Sequence, residues 1–467
     1  MEFFVANFVS LQYTDCIFWE GVDILQFNSI EFLFCFFPLF LIGYYAVPVG
    51  GRNFFMVAGS LVFYAISCAG NYWWLGLLVC ITLIAYVIAM LLAEHPGRGL
   101  LLFSLGLMLG VLILFKLYQG GKLLPVGISF YLFQLSAYII DVYRGRLQSE
   151  RKLMRFFAQI FMFPKLLSGP LMDPRELQVQ SQFYGPNREK LHGGLQVFIL
   201  GLCLKVLVAN RLGGLWNLTA GIGYENISPI FAWMVLLGYA LQLYFDFYGY
   251  SLMAVGIGKM LGYDLPQNFL TPYASKTVSE FYRRWHATLG AWFREYLYFP
   301  LGGSRKGTLR TIFNLAVVWL FTGLWHGIGG NYLVWAGFLF LLIVNERLWL
   351  GKLMKKSHVL CHVYVPFVIL LSWVPFAIGD WQQMVIFLGR LFNRMGSTQM
   401  ANDFVLWGKD YFGILSAGVI LATPLPQWIC RKVKDTVIAD LVLFVLFWVV
   451  VYFVSTAAQD PFMYFQY

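Results

Sequence analysis

The sequence predicts an all-α protein, a polytopic transmembrane helical bundle of about eleven to thirteen membrane segments, some short or re-entrant. Three observations predict it. Only 12% of the 467 residues are charged, against about 25% in soluble domains. Hydrophobic residues make up 60%, and the mean hydropathy is +0.69. The apolar residues fall into successive runs, many near the roughly 20 residues that cross a hydrocarbon core of about 30 Å. No Pro/Ser-rich linker, low-complexity run or repeat divides the chain. Residues 1–24 therefore read as an N-terminal extension and 25–467 as one membrane domain. The extension does not resemble a signal peptide: it lacks a basic start, and Asp15, Glu20 and Asp23 interrupt it.

In chain order, the apolar runs are Ile30–Val47, Phe54–Cys68, Tyr72–Ala93, Leu100–Leu117, Pro125–Tyr143, Leu195–Val208 and Ile230–Phe247. Ile312–Trp325, Tyr332–Trp349, Val359–Ile378, Phe412–Ala422 and Leu441–Val454 follow. Phe156–Leu171 is apolar but carries Pro164, Lys165 and Pro170. It reads as broken or re-entrant, a form tolerated only inside protein or facing water. The shorter runs hint at half-helices or a cavity within the membrane.

The net charge of +10 sits in short basic clusters between apolar runs, as the positive-inside rule expects. It is not a nucleic-acid footprint. Arg52, Arg98 and the cluster Arg144, Arg146, Arg151, Lys152 and Arg155 follow the first, third and fifth runs. Later clusters are Arg305/Lys306/Arg310, Lys352/Lys355/Lys356 and Arg431/Lys432/Lys434. Placing all of them in the cytoplasm puts both chain ends outside, although Lys116 and Lys122 argue weakly against this. The seven cysteines are scattered and form no CxxC pair; small buried apolar roles suit them better than disulfides or metal ligation.

Two stretches are not ordinary spans. In "QLYFDFYGYSLMAVGIGKMLG" (Gln242–Gly262), Asp246 lies among Tyr244, Tyr248 and Tyr250. A carboxylate at such depth is costly unless paired or facing water. It is either a structural group held by tyrosines or an arginine, or part of a substrate passage. In "SEFYRRWHATLGAWFREYLYFPLGGSRKG" (Ser279–Gly307), Ser279 reads as an N-cap. Arg283, Arg284 and Arg294 among aromatics suggest one amphipathic interfacial helix, and it also carries Trp285 and His286. Its arginines anchor anionic headgroups or attract the phosphates of a nucleotide-type ligand.

Of six histidines, His95, His192, His358 and His362 fall near loops or span ends. His326 is the one group between Thr311 and Val344 that titrates near neutral pH. One reading is a core imidazole bonded to a helix carbonyl. The other is a general base in a cavity. Three features favour the second: Gly323, Gly327, Gly329 and Gly330 loosen the helix, Trp325 and Trp335 are placed to line a cavity, and Asn331 offers an amide. No HExxH or CxxC is present, so no metal is expected. The chain also lacks GxSxG and GxxxxGK[ST], which removes the common serine-hydrolase elbow and the ATP-driven pump.

Taken together, "EFYRRWHATLGAWFREYLYFPLGGSRKG" and "TGLWHGIGGNYLVWAG" resemble the membrane-bound O-acyltransferase (MBOAT) family. The resemblance is to its bacterial branch acting on alginate and peptidoglycan, with teichoic acid D-alanyl transferases more distant. Supporting stretches include "LPVGISFYLFQLSAYIIDVYRG" and "FMFPKLLSGPLMDPREL", and the likeness runs from about Leu25 to Tyr467. It implies a bundle enclosing a central tunnel, with a cytoplasmic acyl-CoA donor, most simply acetyl-CoA, and no permanently bound cofactor. His326 aligns with the family's catalytic histidine and His286 with its second functional histidine. The expected chemistry is removal of a hydroxyl proton by His326 beside a bound thioester. Trp325 excludes water, Gly327, Gly329 or Asn331 supplies oxyanion donors, and Arg283, Arg284 and Lys306 hold phosphates.

The resemblance further implies a bacterial cytoplasmic-membrane protein that works with a separate SGNH-type extracytoplasmic acetyltransferase on an exported polysaccharide. The tail "FMYF" resembles a short aromatic motif of this branch, in which Tyr464 is either an acyl carrier or a headgroup anchor. The alternative class is a transporter or flippase of an acyl-bearing or lipid-linked substrate, which glycine-broken helices and midplane polar residues also suit.

Overall fold

The computed structural model describes residues 24–68, 70–118, 124–180, 187–354, 357–394 and 402–456. The described residues are mostly helical and contain no strand, and ten of their helices are long and apolar enough to cross a membrane. Two shorter apolar helices, Phe32–Ala46 and Ile128–Tyr143, accompany them. Hydropathy alone places these elements well, because a lipid-exposed segment must satisfy its own backbone and a helix does so locally.

The first part of the chain forms α1 (Phe32–Ala46), α2 (Val49–Ser67), α3 (Trp73–Glu94), α4 (Arg98–Leu117) and α5 (Ile128–Tyr143). The proline-bearing run is broken as its composition predicts, into α6 (Leu153–Phe161) and α7 (Phe163–Leu166). All of α7 is buried, so its irregular backbone never meets lipid. A short α8 (Pro174–Gln180) precedes α9 (Arg188–Ile222) and α10 (Pro229–Met260).

Helix α10 corrects one expectation. Ile230–Phe247 and the stretch after it are not separate: 32 residues run on as one helix, about 48 Å long at 1.5 Å per residue. It survives intact because its neighbour α9 is built to meet it. Gly194 and Gly201 lie two turns apart on α9, and Gly249 and Gly256 two turns apart on α10. A Cβ on Gly201 would stand 2.5 Å from the Gly249 carbonyl oxygen, and one on Gly194 2.7 Å from the Gly256 oxygen. The two antiparallel backbones therefore touch along one stripe. Beside that stripe, Lys205 Nζ pairs with Asp246 Oδ1 at 2.5 Å, with both side chains buried.

The catalytically suggestive segment comes next, as α11 (Val278–Arg284) and α12 (Ala287–Phe293), the latter continued by a π-helical turn, Arg294–Tyr298. It is not the single interfacial helix expected, and its cap is not Ser279. Thr277 is the N-cap, accepting from the Glu280 N–H at 2.9 Å. Helices α13 (Thr308–His326) and α14 (Gly330–Met354) form a tight hairpin, and α15 (His358–Ala377) packs on α14. Helices α16 (Trp381–Leu391), α17 (Asp403–Leu421), α18 (Pro424–Val433) and α19 (Val437–Thr456) complete the bundle.

Candidate active site

The site is assembled from α11, α12, the α13–α14 hairpin and α15. Glu346 of α14 anchors the first of these: its carboxylate accepts from the Val278 and Ser279 N–H groups at 2.6 and 3.2 Å. Those are orphan donors at a helix N-terminus, where a negative charge is favourable. Seven residues later the helix stops. The Trp285 N–H closes the last turn on the Phe281 carbonyl at 2.7 Å, and His286 turns left-handed, with φ 45°. For a residue with a Cβ this costs about 1–2 kcal/mol. The turn is held from outside: the Ala287 N–H donates to the Asn268 carbonyl at 2.8 Å, and Leu270 N–H to the Arg284 carbonyl at 3.0 Å. Strain of this kind persists where neighbouring structure over-determines it, and it clusters at functional sites.

His286 is 5% exposed. Burial pushes its imidazolium down to about 3, so the ring is neutral across the physiological range. Its Nε2 has no hydrogen-bond partner among the described residues.

His326 is the final residue of α13 and is 7% exposed. The chain then needs glycine for space. A Cβ on Gly327 would meet the Tyr332 ring at 2.4 Å, and one on Gly330 would meet Trp381 at 3.0 Å. The His326 ring sits in an aromatic cage, with centroids 4.5 Å from Trp325, 5.0 Å from Trp335 and 5.1 Å from Phe376. Trp325 is also 6.1 Å from the His286 ring. One indole is thus the common neighbour of both imidazoles.

Both histidines line a single cavity of about 560 Å³. Arg283, Gly290 and Arg294 in its wall are exposed, whereas Trp285, His286, His326, Trp335 and Trp373 are buried. The cavity therefore reaches from a cationic opening to two imidazoles among indoles. Among the described residues neither Arg283 nor Arg294 is engaged with a carboxylate. The Trp335 indole N–H likewise has no hydrogen-bond partner there.

Six sequence-selected site residues, Arg283, Trp285, His286, Arg294, His326 and Trp335, meet in this cavity. Trp325 stands behind the two rings rather than in the wall. The others lie outside the lining. Arg284 pairs with Glu280 at 2.5 Å. The Asn331 amide donates to the Pro375 carbonyl at 3.0 Å and fastens α14 to α15. The Gly327 N–H is spent on the Gly323 carbonyl at 3.1 Å. Asp246 belongs to the α9–α10 seam, opposite Lys205. Lys306 lies in the exposed turn after the Arg294–Tyr298 segment. Tyr464 and residues 1–23 are outside the described residues. Sequence reasoning passed over Tyr282, Trp319 and Trp373, which line the wall. Trp373 is 5.0 Å from Trp285, yet in sequence it is one tryptophan in an apolar run with nothing to distinguish it.

Residues 60–369 match the model of MBOAT, the membrane-bound O-acyltransferase family. The chain belongs to the MBOAT family. It is 34% identical over 404 residues to a probable alginate O-acetylase, AlgI, of Pseudomonas putida, covering 77% of this chain and 81% of that protein. A peptidoglycan O-acetyltransferase of Helicobacter pylori is 32% identical over 371 residues, covering 67% of this chain and 69% of that protein. A teichoic acid D-alanyltransferase of Bacillus subtilis is more distant, at 29% over 222 residues, covering 45% of this chain and 55% of that protein. The MBOAT chain is thus a multi-pass membrane protein similar to proteins named as O-acetylating alginate and peptidoglycan. The matched MBOAT segment contains both histidines and every residue in the cavity wall except Trp373.

Proposed function

We propose that this protein is a bacterial cytoplasmic-membrane O-acetyltransferase that moves an acetyl group from acetyl-CoA toward an exported polysaccharide or cell-wall glycan. The observation that carries the reading is the shared cavity: two buried imidazoles stand at its inner wall and two exposed guanidiniums at its opening. Arg283 and Arg294 suit the phosphates of the donor, and the apolar indole wall suits a thioester arm. His326 takes the proton of an acceptor hydroxyl as its oxygen attacks the thioester carbonyl. The C–S bond then breaks, and the departing thiolate recovers that proton from the imidazolium, giving an ester and free CoA thiol. The neutral His286 and the Trp335 N–H are the polar groups left to orient the carbonyl. Holding both reactants in one pocket lowers the barrier through proximity, and a closed aromatic wall keeps water from the thioester. No permanent cofactor is needed, because the thioester is already activated.

The proposed route requires a passage through the bundle from this chamber to the far face, where a separate SGNH-type transferase completes delivery. Tyr464 is the proposed carrier on that side, a role that rests on the aromatic tail motif. A phenolate with pKa about 10 leaves more readily than an alkoxide.

The test is release of CoA thiol from labelled acetyl-CoA by purified protein in detergent. His326→Ala is expected to lower it at least a hundredfold, and undiminished release sinks the reading. In cells, Tyr464→Phe keeps the aromatic anchor and removes the hydroxyl. Loss of envelope acetylation is expected, and full acetylation removes Tyr464 from the scheme.

A further inference from the structure

Lys116 lies in the last turn of α4 and is buried. No carboxylate pairs with it among the described residues; its Nζ donates instead to the main-chain carbonyl of Trp325. An ammonium withdrawn from water without a counter-ion is costly, and packing does not explain it. Helix α4 is otherwise a peripheral element, most of whose surface faces outward, with Leu102, Phe103 and Leu114 exposed. The partner offers an explanation. Trp325 is the penultimate residue of α13, so its carbonyl is among the last four with no intrahelical donor. That end of a helix also carries the negative pole of the macrodipole.

The peptide unit that Lys116 grips joins Trp325 to His326. It is planar, so fixing its oxygen fixes the plane that carries the His326 Cα. Immediately afterwards the chain leaves the helix, with Gly327 in extended conformation. The clamp therefore acts at the last helical position before the hairpin. It also holds Trp325, whose indole contacts both imidazoles.

We propose that Lys116 is a positioning residue for His326, a cation on the first half of the chain that locks the end of α13 and thereby the direction of the imidazole. The proposal rests on the reading of His326 as the base. Its test compares Lys116→Met, Lys116→Gln and Lys116→Arg in the CoA-release assay, with thermal unfolding in detergent measured alongside. Lys116→Met is expected to lower kcat at least tenfold while KM for acetyl-CoA stays within twofold and the melting temperature is little changed. Lys116→Arg, whose guanidinium still reaches the carbonyl, recovers kcat to within threefold. Wild-type kcat in Lys116→Met overturns the proposal, as does a loss that appears in KM or that Lys116→Arg fails to rescue. Should Lys116→Met not fold, the Arg and Gln variants decide: an active Arg with an impaired Gln supports the clamp, and a fully active Gln overturns it. Retained activity in His326→Ala is a failure of the base assignment itself and is read separately from every Lys116 variant.

Discussion

In the proposed scheme, two guanidiniums and two imidazoles divide the labour of the cavity by exposure. Arg283 and Arg294 are solvent-facing, so their attraction for a phosphate is screened by salt. Replacing both with glutamine is expected to raise KM for acetyl-CoA at least tenfold at low ionic strength, with kcat within threefold. An acetylated pantetheine lacking the nucleotide phosphates is expected to be used equally by both proteins. An equal loss on the two donors removes the arginines from phosphate binding. His326 was legible as an ionisable group in a long uncharged run, because burial without purpose is unfavourable. Lys116 was not, because its partner is a backbone carbonyl 209 positions away that any residue type would present. Asp246 was legible as a costly buried charge, while its partner Lys205 was hidden in a different apolar run.

The seam between α9 and α10 shows what hydropathy can and cannot reveal about an element. The glycines that let the backbones touch are plain in the sequence, but their pairing across the seam is not. Gly201→Leu forces a side chain onto the Gly249 carbonyl. The expected result is a loss of about 1–3 kcal/mol through overpacking, read as a lower melting temperature in detergent. An unchanged melting temperature means the backbones are not in contact there. The same seam buries Lys205 opposite Asp246, and a buried ion pair is costly to break by removing one partner. By contrast, the break between α11 and α12 carried no signal. Nothing in "RRWHATLG" forbids a continuous helix, and the turn at His286 is imposed by Asn268 and Leu270.

For the whole molecule, the decisive quantity is orientation. His326 ends α13, some 27 Å from its start at Thr308, taking 1.5 Å per residue. If the basic turn Arg305–Arg310 faces the cytoplasm, as its charge predicts, the proposed base His326 stands toward the opposite side, closer to the proposed external acceptor than to the entry of a soluble donor. A single cysteine at the exposed Ser304, with the seven native cysteines replaced, tests this. A membrane-impermeant thiol reagent is expected to label it in inverted vesicles and not in intact cells. Labelling of intact cells reverses the orientation and with it the direction of transfer.

Hydropathy and composition alone determined that this chain is a helical membrane protein, and roughly where its helices lie, because each lipid-facing segment must satisfy its own backbone. The paired motifs around His286 and His326 determined its family. Tertiary structure decided the rest: which arginines share a cavity with the imidazoles, which polar groups fasten one helix to another, and that a lysine on α4 grips the carbonyl beside His326. These depend on contacts between distant segments, and no local pattern of residues records a partner that packing alone supplies.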